Sequence, residues 1–211
     1  MPRSISLGTR LTPLLAALLL VGCTSTSPSE PITVQTRAPI VGGSNESGYP
    51  GVGAMTFVYP GQGYGGSFCT GTLIDSNWVL TAAHCMDEVA GIDLESNPHL
   101  VHFMIGTDAR PGSMNGTLYQ ADAIYVHGSY NASTNENDIA LVHLADTAPS
   151  QHVIEINYAN MNGSYVGQNV FYVGFGVNNG QAETGGGIKR SGTNPIDGVW
   201  ANMYQSDATG G

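Results

Sequence analysis

From Ile40 onward the apolar residues come in short runs separated by clusters of Gly, Asn, Pro and Ser. Val52–Tyr59, Phe68–Ile74, Trp78–Ala83, Leu100–Ile105, Leu118–His127, Ile139–Leu144 and Asn169–Phe175 are rich in β-branched or aromatic side chains. They recur every ~10–20 residues with no helical periodicity between them, the pattern of an antiparallel sandwich or barrel. The pattern predicts no helix longer than a turn or two past residue 40. Gly61-Gln62-Gly63-Tyr64-Gly65-Gly66 is glycine-rich, but it lies between two predicted strands rather than opening a helix. It therefore reads as a hairpin and not as a phosphate-binding loop. The chain contains no internal repeat.

The first residues follow a different rule. Arg3 and Arg10 precede an apolar run from Leu11 to Val21. A basic start followed by such a run is a secretory signal, and the run is shorter than the ~20 residues that a transmembrane helix needs. Leu20-Val21-Gly22-Cys23 resembles the lipobox of bacterial lipoproteins, which implies a signal peptide over residues 1–22 and acylation of Cys23. Two or more acyl chains anchor a protein stably, at ~0.8 kcal/mol per buried methylene. An ordinary cleaved signal with an incidental Cys23 is the alternative. Thr24 after the cysteine points to the outer membrane. Residues 23–39 are rich in Ser, Thr and Pro and read as a flexible tether or propeptide. The expected location is the bacterial cell envelope, as an outer-membrane lipoprotein or in the periplasm or at the cell surface.

Composition narrows the functional classes. With 41% hydrophobic residues the chain can bury a core, so global disorder is excluded. Six Lys and Arg against 16 Asp and Glu give a net charge of −10, which repels phosphate backbones and removes nucleic acid as a partner. There are three cysteines. If Cys23 is lipidated, Cys69 and Cys85 remain, and in an oxidising envelope compartment they are free to pair.

Three segments carry the chemistry. Ile40-Val41-Gly42-Gly43 opens the domain, Trp78-Val79-Leu80-Thr81-Ala82-Ala83-His84-Cys85 follows, and Asn137-Asp138-Ile139-Ala140-Leu141 comes later. Ser67–Ile74, Val126–Tyr130 and Gly174-Phe175-Gly176 add weaker matches. Together, in this order, they resemble the trypsin-like serine peptidases of the chymotrypsin fold, from Ile40 to about residue 200. The resemblance implies an all-β fold of two antiparallel β-barrels. The first would cover about 40–146 and the second, incomplete at the C-terminus, about 147–211. It implies peptide-bond hydrolysis of a polypeptide substrate, with no cofactor and no metal; the oligomeric state is left open.

By the same resemblance, His84 is the general base and Asp138 the buried carboxylate that orients it. A neutral imidazole accepts a proton near neutral pH, and the order His then Asp is that of this family. Taken alone, His84 reads better as an ordinary turn histidine and Asp138 as a strand-start cap. Cys69 and Cys85 take the place of the disulfide beside the catalytic histidine. A metal site using these cysteines and His84 is the rival reading, but paired C-x-x-C or H-x-x-H spacing is missing. His127 matches a family position outside the triad and reads as structural, and His99, His102, His143 and His152 show no metal-site spacing. Asn45, Asn115, Asn131 and Asn162 open N-x-Ser/Thr triplets, which a bacterial lipoprotein would rarely use.

The pattern then breaks. The family nucleophile lies in a Gly-Asp-Ser-Gly-Gly segment, and these 211 residues contain none. Thr209-Gly210-Gly211 is a faint echo with Ala208 where the aspartate belongs, and Ser191 and Ser206 lack the flanking glycines. The expectation is a serine endopeptidase by lineage whose chain, as it stands, supplies no nucleophile and is inactive. Ile40 would be the new N-terminus after activation. However, the preceding Arg37-Ala38-Pro39 puts a cut after Arg37 two residues early. Two other readings stay open: a non-catalytic surface lipoprotein that uses the first barrel for binding, and an unrelated all-β lipoprotein.

Overall fold

The computed structural model describes residues 43–89, 91–179, 184–200 and 203–205. The signal and tether segment, Cys23, Ile40, Ser206 and Thr209 lie outside the described residues. The strands are β1 (Ser44–Asn45), β2 (Val52–Tyr59), β3 (Gly63–Asp75), β4 (Trp78–Thr81), β5 (Glu88–Val89), β6 (Ile92–Asp93) and β7 (Val101–Asp108). They continue with β8 (Asn115–Val126), β9 (Ala140–Leu144), β10 (Asn169–Gly174), β11 (Arg190–Pro195), β12 (Gly198–Trp200) and β13 (Met203–Gln205). Among the described residues, helix is confined to single 3-10 turns at Ala83–Cys85, Pro98–Leu100, Ser150–His152 and Gly163–Tyr165. The all-β expectation holds.

Six strands close into a barrel in the order β2-β3-β4-β9-β8-β7. Alternation along each strand sends one set of side chains inward. Met55, Leu73, Val79, Val101, Phe103, Val142 and Leu144 fill the interior with no exposed surface. The continuous apolar run of β2 has its own cause, because this strand is covered on both faces. Met55 and Phe57 point into the barrel, while Ala54 packs with Met104, Ala109 and Phe175 on the outside. Gly53 admits the close approach of β7: a Cβ there would lie 2.5 Å from the ring of Phe103 and from the carbonyl oxygen of Met104. The glycine-rich segment is the predicted hairpin, turned by a Gln62 N–H donating to Tyr59 O at 3.0 Å.

A second sheet, in the order β1-β11-β10, stands beside the barrel, and β12 and β13 pair with each other. Among the described residues this half forms no closed barrel. β11 was not legible in the sequence, because Arg-Ser-Gly-Thr-Asn-Pro offers one β-branched residue and no alternation. It is placed by its neighbours, β10 on one side and β1 on the other. Ile139 and His127 fall just outside the strands predicted to include them.

Backbone bonds tie the two halves together. Ala109 N–H donates to Gly187 O at 2.6 Å and Lys189 N–H to Thr107 O at 2.9 Å. The Lys189 side chain is buried, and its ammonium donates to Tyr49 O at 3.1 Å and Gly48 O at 3.4 Å, with the Phe175 ring centroid 5.7 Å away. Burial pulls its pKa below the ordinary lysine value, and Glu46 opposes that shift. The cation thus fastens the chain just after β1 to the region between the sheets.

Within the barrel half, Tyr64 on β3 makes a side-chain tie to the chain just after β7, its hydroxyl donating to Ala109 O at 2.8 Å. Burial first, and the charge of Asp108 second, push its pKa up to about 12. The unfolded chain releases this proton near pH 10 while the folded chain keeps it, so stability falls as pH rises through that window. Tyr64 is only part-buried and solvent screens it, so urea unfolding should show the native chain losing on the order of 1 kcal/mol more than Tyr64→Phe between about pH 9 and pH 12. Equal losses in the two proteins would show that Tyr64 is not held protonated by the fold.

Candidate active site

The register of one strand pair builds the site. β4 and β9 run antiparallel, with Thr81 opposite Ala140 and Trp78 opposite His143. The chain leaving β4 and the chain entering β9 therefore meet at the same end of the barrel. The single 3-10 turn Ala83–Cys85 follows β4 and buries Ala83 and Cys85 while leaving His84 outward. Asp138 lies two residues ahead of β9. These positions, 54 residues apart in the chain, come into direct contact.

The contact is double. Asp138 Oδ2 lies 2.7 Å from His84 Nδ1, and Asp138 Oδ1 accepts the His84 backbone N–H at 2.8 Å. Two bonds from one carboxylate fix both the place of the backbone and the rotation of the ring. With Nδ1 facing a carboxylate, the favoured neutral tautomer carries its proton there and leaves Nε2 as the acceptor. The His84 side chain is 42% exposed and that of Asp138 is 25% exposed, so the ring edge is reachable from solvent. Nε2 has the sulfur of Cys85 at 3.4 Å, a weak partner for an imidazole nitrogen.

Cys69 on β3 and Cys85 form a disulfide with a Cα–Cα distance of 6.2 Å. The bond closes a loop spanning 16 positions and pins the backbone immediately after His84. In the chain-entropy picture a loop of this size contributes about 3 kcal/mol. The sulfurs and a His84 nitrogen lie within 4.8 Å of one another, but both thiols are consumed in the bond. A metal would need deprotonated thiolates, so this donor set does not suit one.

Tyr130 borders the pair. Its hydroxyl donates to Asn135 Oδ1 at 3.3 Å, and its pKa is raised by burial first, then by Asp138 and Asp87. His127 serves its own turn, with Nδ1 accepting the Ser129 N–H at 3.2 Å. The structure also holds a second histidine–aspartate contact that the sequence did not signal. His143 Nδ1 lies 2.5 Å from Asp122 Oδ1, and His143 Nε2 is 2.7 Å from Asn77 Nδ2. It sits at the opposite end of the β4–β9 pair, against the edge of Trp78 at 4.7 Å. Both its ring nitrogens are engaged, whereas Nε2 of His84 has no nitrogen or oxygen partner among the described residues.

The family model described as Trypsin matches residues 40–197. The trypsin Tyr p 3.0101 of Tyrophagus putrescentiae is 38% identical over 93 residues, covering 43% of this chain and 28% of that protein. Serine protease SSP1 of Scolopendra subspinipes is 28% identical over 203 residues, covering 90% of this chain and 66% of that protein. A trypsin of Phaedon cochleariae is 32% identical over 131 residues, covering 61% of this chain and 46% of its own length. The chain therefore spans between about a quarter and two thirds of the length of these relatives. With its closed barrel, the double contact between His84 and Asp138 and the adjacent disulfide, and with the family pattern running through most of its length, the chain belongs to the trypsin family.

Proposed function

We propose that this chain supplies the base-and-orienter half of a serine endopeptidase site. The observation that carries the reading is the double hydrogen bond from Asp138 to the backbone and ring of His84. In the reaction a serine oxygen attacks the peptide carbonyl carbon and passes its proton to Nε2 of His84. The imidazolium that forms is stabilised by the Asp138 carboxylate, and it returns the proton to the leaving amine as the C–N bond breaks. Water repeats the sequence on the acyl-enzyme and restores the serine. A purely binding role offers no account of a carboxylate that fixes the ring while its far nitrogen has only a weak sulfur contact among the described residues.

The serine and the backbone donors for the oxyanion belong to a Gly-Asp-Ser-Gly-Gly segment, which is not among these 211 residues. These residues by themselves are therefore proposed to be silent. A fluorophosphonate probe, which reacts only with an activated serine, should leave the 211-residue chain unlabelled. Stoichiometric labelling would place a nucleophile within it and overturn this part of the reading. In any longer form carrying the serine loop, His84→Ala should lower kcat/KM by about 10⁴-fold or more. An unchanged value would remove His84 from the chemistry.

We further propose that the domain is tethered to a bacterial envelope membrane through acylated Cys23. The support is the lipobox-like Leu20-Val21-Gly22-Cys23 behind a basic start and an apolar run, followed by a Ser- and Thr-rich stretch. Metabolic labelling with a fatty acid analogue should mark the expressed chain and should be lost in Cys23→Ser. Label that persists in the variant would refute the anchor.

A further inference from the structure

The segment that delivers Asp138 to His84 is held in a backbone conformation that L-residues seldom adopt. Asn135 at φ 54° and Asn137 at φ 56° both lie in the left-handed region. A non-glycine residue there is strained by on the order of 1 kcal/mol, and Asn is the residue type whose short amide offsets this by bonding locally. Asn137 bonds across the loop instead: its Nδ2 donates to Ser129 O, at a sequence separation of 8, at 2.9 Å. The Asn137 carbonyl in turn accepts the Ile139 N–H at 2.8 Å, drawing the chain into a tight turn around Asp138.

The preceding loop closes on itself. Asn131 N–H donates to Glu136 O at 3.0 Å and Asn135 N–H to Asn131 O at 2.7 Å. On the other side, β9 is fixed by its pairing with β4 and β8 from Ala140 onward. Asn137 is thus the joint between a self-closed loop and a fixed strand, and the residue that follows it must present one carboxylate to two donors of His84. A change of φ at this joint swings the Asp138 carboxylate away from a target only 2.7–2.8 Å off.

We infer that Asn137 is a positioning residue: its left-handed backbone, held by the bond to Ser129, aims the Asp138 carboxylate and thereby fixes the tautomer of His84. The inference rests on the reading of His84 and Asp138 as base and orienter.

The test is imidazole ¹⁵N spectroscopy of the full chain at about pH 8, above the ordinary titration range of histidine. His143, held by Asp122 and Asn77 at the far end of the strand pair, serves as the internal reference. In the native chain both His84 and His143 should show a protonated Nδ1 and a bare Nε2. Asn137→Ala, which disfavours the left-handed backbone, should collapse the His84 nitrogens toward a tautomer average and leave His143 untouched. Asn137→Gly, which takes the left-handed region freely, should restore the fixed His84 tautomer in large part. A fixed His84 tautomer in Asn137→Ala overturns the inference. Simultaneous loss of the His84 and His143 signatures also overturns it, because Asn137 would then support the fold at large. A native chain whose His84 has no fixed tautomer overturns instead the underlying reading of the His84–Asp138 pair.

Discussion

The pairing of Trp78–Thr81 with Ala140–Leu144 is the constraint on which the site depends. A histidine and an aspartate 54 residues apart have no local reason to meet. They meet because two strands, each buried on one face by Val79 and Val142, can bury those faces only in this register. A slip of one residue would turn the valines outward and carry the chain ends out of step. Barrel closure and the His84–Asp138 contact therefore depend on the same register, which the buried valines hold. The Cys69–Cys85 bond acts on the same point from the other side, fixing the turn that carries His84 to β3.

Much of this was legible in the sequence, for physical reasons. β2 was predicted with its observed bounds because it is buried on both faces and ends at a Pro-Gly turn, so both composition and punctuation mark it. β4 and β9 were visible as short apolar runs rich in β-branched or aromatic residues beside the Thr-Ala-Ala-His-Cys and Asp-Ile-Ala-Leu segments. β11 was invisible because it forms by edge pairing, with its Arg, Ser, Asn and Gly contributing backbone rather than an apolar face. The Asp122–His143–Asn77 contact was hidden for a related reason. A bulge between Ala121 and Ala123 shifts the register of β8 against β9 there, so strand alternation alone does not place Asp122 beside His143. Left-handed Asn137 was equally silent, since a lone Asn before Asp reads as an ordinary turn residue.

The two histidine–aspartate contacts differ in what surrounds each pair, and the role proposed for His84 rests on that difference. At His143 the carboxylate holds one nitrogen and the Asn77 amide holds the other, so the ring is a link in a surface network. At His84 the carboxylate spends its second oxygen on the backbone, and the far nitrogen is left facing a sulfur. The difference lies in what surrounds each pair rather than in the pair itself. A carboxylate near an imidazole is common; here the carboxylate also fixes the backbone of that imidazole and a disulfide locks the next residue, and this combination is what supports the proposed role.

The most direct measurement of the central claim is the proton position on His84, read by neutron diffraction from a deuterated crystal at about pH 8, where a histidine of ordinary pKa is neutral. The account predicts a deuterium on Nδ1 directed at Asp138, a bare Nε2, and a second deuterium on the His84 backbone nitrogen directed at the other carboxylate oxygen. A bare Nδ1, or a carboxylate of Asp138 more than about 3.5 Å from the ring, would contradict it.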